Sequence, residues 1–98
     1  YGFSRYPSVD RDITVIVKEE LPVADILKII FSSSAEFLED VKLIDLFRGE
    51  RIGIGKKSLT FKLVFQSMER TLNDEEVNIE TQKIADNLMK KIEVEFPK

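Results

Sequence analysis

The chain has 98 residues, and its 43% apolar and 34% charged content is that of one globular domain rather than a disordered segment. It holds no cysteine and no histidine, which excludes thiol chemistry, a disulfide framework, the commonest soft metal ligands and the usual general base. The net charge of −3 is a poor overall footprint for nucleic-acid binding. Its distribution is uneven: the window from Lys42 to Arg70 carries seven cations against three anions, a local excess of +4.

There is no signal-like stretch after Tyr1 and no apolar run long enough to span a bilayer. We expect one domain over residues 1–98, a piece of a longer cytoplasmic protein, with no membrane partner.

Asp12 to Val17 is β-rich with near alternation and reads as the first strand. Pro22 opens a helix in which Val23, Ile26, Leu27 and Ile30 recur at helical spacing, ending near Ser32–Ser34. Val41 to Arg48 is a second strand, stopped by Gly49, and Gly53 and Gly55 mark a turn. Ser58 to Gln66 alternates cleanly, with Leu59, Phe61, Leu63 and Phe65 on one face. Asn73 caps a second helix, with Glu76 three residues on and Val77, Ile84, Ala85, Leu88 and Ile92 as its apolar stripe. Glu93 to Phe96 is a short fourth strand. This order predicts an α+β fold, a ferredoxin-like βαββαβ sandwich: a four-stranded antiparallel sheet with two helices on one face.

That topology leaves one sheet face open. Ser58, Thr60 and Lys62 lie on it by alternation, joined by Asp12 and Thr14. The second strand is apolar on both parities. Because an ionised carboxylate is costly in a core, Asp45 goes to the open face and carries Leu43 and Phe47 with it. Ile44 and Leu46 then face the helices, and Lys42 and Arg48 share their parity at the strand ends, where they can snorkel.

Several motifs fail on inspection. Gly55-Lys56-Lys57-Ser58 resembles a phosphate-binding loop, but Glu50 stands where that loop needs glycine, Lys57 where it needs Ser or Thr, and a strand follows instead of a helix. The acidic clusters lack calcium-loop spacing, and the serine run has no base to activate it. Base-stacking aromatics of the RNA-recognition type are absent, since Phe61 and Phe65 take the inward parity. No reaction centre is visible.

Five short motifs keep a common order: Tyr6-Pro7 with Arg11-Asp12; Leu43-Ile44-Asp45-Leu46-Phe47 with Gly49; Gly55-Lys56-Lys57-Ser58-Leu59; Arg70-Thr71-Leu72; and Asp74-Glu75-Glu76-Val77. In these, and over nearly the whole chain, the sequence resembles the ferredoxin-fold anticodon-binding domain, the module that ends the β subunit of bacterial phenylalanyl-tRNA synthetase. It departs from the family at its end, where Phe96-Pro97-Lys98 stands in place of a leucine-arginine pair.

The resemblance implies a non-catalytic module that contacts the anticodon stem-loop of phenylalanine tRNA through its open sheet face. ATP and magnesium are implied for the parent enzyme and no cofactor for this fragment. The implied partners are the tRNA, the catalytic α subunit and the other β-subunit domains of a heterotetramer. Carried over by position, Asp45, Phe47 and Ser58 fall near the first anticodon base, and Lys56, Lys57, Lys62 and Arg48 are expected to hold phosphates. Tyr6-Pro7, the Arg11–Asp12 pair and Arg70-Thr71-Leu72 are expected to be structural. The competing expectations are a dimerising ferredoxin-like module and a docking module whose buried patch uses Leu43, Ile16 and Val64.

Overall fold

The computed structural model describes residues 6–33 and 36–97. Its elements run β1 (Val9–Lys18), α1 (Val23–Ser32), β2 (Leu38–Phe47), β3 (Lys56–Phe65) and α2 (Asp74–Lys91). The three strands form one antiparallel sheet in the order β1-β3-β2. Ser34 of the serine run and Lys98 of the terminus lie outside the described residues.

The central strand β3 sets the layers. Leu59, Phe61, Leu63 and Phe65 are fully buried, while the alternate residues are half-exposed. On β1, Ile13 opposite Phe61, Val15 opposite Leu59, and Val17 complete the sheet side of the core. Ile26 and Ile30 of α1 and Val77, Ile84 and Leu88 of α2 complete the helix side. The expected apolar stripes therefore face the sheet, as amphipathic helices on one face of a sheet must.

Capping chemistry fixes the start of α2. Asn73 Oδ1 accepts the Glu76 backbone N–H at 2.8 Å, and Glu76 Oε1 accepts the Asn73 N–H at 3.3 Å. This reciprocal pair satisfies two of the donors that a helix start leaves unpaired. Arg70 pairs with the same Glu76 carboxylate, and Leu72 is buried in the core, so Arg70-Thr71-Leu72 anchors the approach to the helix at both ends. The Tyr6 carbonyl accepts from Gln66 Nε2 at 2.8 Å, tying the start of the described chain to the end of β3. Arg11, however, does not pair with Asp12. It reaches Asp74 at 3.3 Å on the helix side, because neighbouring residues in a strand point to opposite faces.

The expected fourth strand is reduced to one bridge. Glu95 exchanges both backbone hydrogen bonds with Ile16, at 2.8 and 3.0 Å. In an antiparallel ladder the next exchanges fall two residues either way, at Glu93 and Pro97. Pro97 has no N–H to donate, and Glu93 follows directly on the Ile92 cap of α2. The sheet is therefore three-stranded rather than four-stranded, with the terminal segment held to β1 by that bridge and a Lys18–Glu93 ion pair, and to the start of β3 by a Lys56–Glu95 ion pair.

Candidate nucleic-acid interface

Registration on β3 decides which β2 residues share its open face, because residues directly opposite one another point the same way. Asp45 lies opposite Thr60, and Phe47 opposite Ser58. On the other side Thr14 lies opposite Thr60 and Ile16 opposite Ser58. Asp45, Phe47 and Ser58 thus share one end of the open face, as expected. The Phe47 ring is 51% exposed, so it is not a core residue. Thr14 and Thr60 join their hydroxyls at 2.9 Å, while the Ser58 hydroxyl has no hydrogen-bond partner among the described residues. Asp45 Oδ1 accepts the backbone N–H of Leu46 at 2.9 Å, which steers the carboxylate and leaves most of its acceptor capacity unused.

The rest of β2 departs from simple alternation. Register shifts fall between Leu38 and Asp40 and between Leu43 and Asp45. A bulge adds one residue and reverses parity beyond it. Leu43 therefore sits opposite Phe61, on the helix side, and not on the open face with Asp45. Lys42 sits opposite Lys62 on the open face, and not inward. Ile44, the extra residue, is 48% exposed and does not face the core. Leu46 keeps its helix-side position opposite Leu59. The docking patch of Leu43, Ile16 and Val64 is split between the two faces by the same shift.

The expected phosphate ligands divide. Lys62 lies on the open face, 3.8 Å from Asp10. Lys56 lies at its edge, 3.0 Å from Glu95. Arg48 follows the end of β2 and pairs with Glu19. Lys57 is a correction: it pairs with Val17 on the helix side and is only 6% exposed, so the structure sets it apart from the other site residues. Strand parity already aligned it with Leu59. Lys42, absent from the expected set, stands beside Lys62 instead, 3.9 Å from Asp40. The signal for it was the bulge, which leaves no clear mark in the sequence.

The basic window thus meets acids from β1, from residues just after it and from the terminal segment. Exposed pairs of this kind contribute about 0–1 kcal/mol each. An incoming phosphate can replace such a carboxylate at small cost, so pairing does not remove these cations from an anion-binding role.

Among the described residues no group of three or more acidic side chains could hold a metal ion, and Gly55-Lys56-Lys57-Ser58 opens β3 and not a helix. These residues do not fit a nucleotide–magnesium site. No helix is long and apolar enough to cross a membrane.

The open sheet face thus carries an aromatic ring, a steered carboxylate and a hydroxyl at one end, with cations around it. The sequence model of the family described as "Ferredoxin-fold anticodon binding domain" matches residues 4–97, and the chain belongs to that family. The chain is also 40% identical over 89 residues to the phenylalanine–tRNA ligase beta subunit of Clostridium tetani, covering 91% of this chain and 11% of that protein. It is 37% identical over 89 residues to the one from Shouchella clausii, covering 91% and 11%. With the one from Syntrophotalea carbinolica it shares 38% over 95 residues, covering 97% and 12%. The chain spans about a tenth of the length of the curated relatives it matches.

Proposed function

We propose that this domain binds the anticodon stem-loop of phenylalanine tRNA, as a non-catalytic module of a phenylalanine–tRNA ligase β subunit. The observation that carries the reading is the shared open-face register of Asp45, Phe47 and Ser58. Membership of the anticodon-binding family supports it, as do relatives named as that subunit. The proposed partners are the tRNA, the catalytic α subunit and the other β-subunit domains. ATP and magnesium serve the parent's ligation reaction in the catalytic subunit, and no step here uses them.

The chemistry is selective for guanine. Its Watson–Crick edge presents adjacent N–H donors, and one carboxylate accepts both, which makes Asp45 the reader of the first anticodon base. A base splayed from an RNA loop can stack on Phe47, a contact worth about 1–3 kcal/mol. The Ser58 hydroxyl on the adjacent strand donates to the remaining acceptor. Lys56, Lys62 and Arg48 hold phosphates without reading sequence, and Lys42 belongs with them by its position beside Lys62. Lys57 does not join them.

The test is a low-salt titration with a labelled GAA anticodon stem-loop and the same hairpin with its first anticodon base changed to cytosine. The reading predicts tighter binding of GAA and loss of that margin in Asp45→Ala. Equal binding of both hairpins with a steep salt dependence would mean that the cations hold phosphate without base readout.

A further inference from the structure

The β2–β3 loop lies against the open-face site. A Cβ on Gly49 would stand 3.5 Å from the Phe47 ring, so that ring rests on the start of the loop. A Cβ on Gly53 would stand 3.4 Å from Lys56 Cδ, so the Lys56 stem lies along its far limb. The loop is built and not slack. The Gly49 carbonyl accepts from Ile52 N–H at 3.0 Å and from Gly53 N–H at 3.3 Å, and the Gly55 carbonyl accepts from Glu19 N–H at 2.8 Å. Gly53 and Gly55 take φ of 120° and 76°, a region open to glycine at little cost.

This scaffold holds Ile54 at 99% exposure, at a cleft of about 260 Å³ whose charged lining is Arg48 and Lys56 with Glu19 and Glu50. Among the described residues no other large apolar side chain is so fully in water; the rest of the exposed ones are between 38% and 57% exposed. Arg51, two residues after Gly49, makes no ion pair among the described residues, in contrast to Arg48, Lys56 and Lys62. An exposed apolar tip and an unpaired guanidinium on one loop, whose first residue meets the Phe47 ring, suit a nucleotide: apolar contact to a base or sugar and a fork for its phosphate.

We propose that the loop from Gly49 to Gly55 is a second, sequence-independent RNA contact, in which Ile54 packs on the nucleotide next to the one on Phe47 and Arg51 grips its phosphate. This rests on the anticodon-binding reading and extends its footprint beyond the sheet.

The test titrates the 98-residue chain and its Ile54→Ser, Ile54→Leu and Arg51→Gln variants with both hairpins across a salt series. Both side chains are exposed, so melting temperatures should be unchanged, and that is measured alongside. Ile54→Ser is expected to weaken both hairpins by about five- to tenfold, with the GAA preference intact, and Ile54→Leu to restore binding. Arg51→Gln is expected to flatten the log–log salt slope by about 0.7. If the parent chain prefers GAA while Ile54→Ser and Arg51→Gln bind as it does, the loop proposal is overturned and the sheet-face reading stands. If the parent chain binds neither hairpin, the anticodon-binding reading falls and this proposal with it.

Discussion

Glu80 tests how β2 is held. The residue is 4% exposed on α2, yet its carboxylate is not a core misfit: Oε1 accepts the Phe37 backbone N–H at 2.8 Å. The Phe37 carbonyl in turn accepts from Gln66 N–H at 2.9 Å. One buried acceptor thus ties the start of β2 to α2, while the next residues enter the ladder with β3. A hydrogen bond to a charged group contributes about 1.5–3 kcal/mol. Lys83 stands 3.5 Å away and half in solvent, and such a pair adds under about 1 kcal/mol. Glu80→Ala should therefore cost about 2–3 kcal/mol. At roughly 4–8 °C per kcal/mol for a domain of this size, melting falls by about 10–20 °C. Glu80→Gln keeps an acceptor for Phe37 and should cost about 1 kcal/mol, and Lys83→Ala about 0.5 kcal/mol or less. Urea unfolding of the three variants measures this. Glu80→Ala within about 0.5 kcal/mol of the parent chain, or Glu80→Gln as damaging as Glu80→Ala, would refute the reasoning.

Three further outcomes follow from the same geometry. The Arg70 guanidinium, by hydrogen bonding, and then the Asn73 backbone N–H hold the Glu76 carboxyl below its ordinary range. A depressed folded pKa gives stability that is fully present above the unfolded carboxyl range and is lost as pH falls through the folded value. Melting curves should then show Glu76→Gln less stable than the parent chain at neutral pH and equal to it in strong acid; a gap that persists at low pH would contradict this. Phe61, fully buried in the central strand, should cost about 3–5 kcal/mol as Phe61→Ala, a large part of a domain's roughly 5–15 kcal/mol, read by urea midpoint. Phe47→Ala should leave melting nearly unchanged, since the ring is half in water, while weakening the GAA hairpin about five- to hundredfold; a large fall in melting without loss of binding would make the ring structural.

The sequence made β3 legible because a central strand with one covered face alternates without interruption. Its parity was enough to set Ser58, Thr60 and Lys62 outward, and also to set Lys57 inward, which only its place in a basic run obscured. The Asn73–Glu76 capping box was equally plain, because its chemistry is local. β2 was only partly legible. The cost of burying a carboxylate put Asp45 and Phe47 on the correct face, but parity cannot be carried across a bulge, so Leu43 and Lys42 exchange faces. The terminal segment has strand-like alternation, yet Pro97 cannot continue the ladder. Ile54 gave no sequence signal, since an isoleucine between two glycines reveals its exposure only once the loop is built.

RNA contact at the Phe47 end of the open sheet face is open to direct test. The most direct measurement is the backbone amide NMR spectrum of the domain during titration with the GAA hairpin. Shifts should concentrate at Asp45, Leu46, Phe47, Ser58 and Thr60, with α1 and the exposed side of α2 unmoved. Shifts centred on the helices, with β2 and β3 unmoved at saturating hairpin, would contradict it.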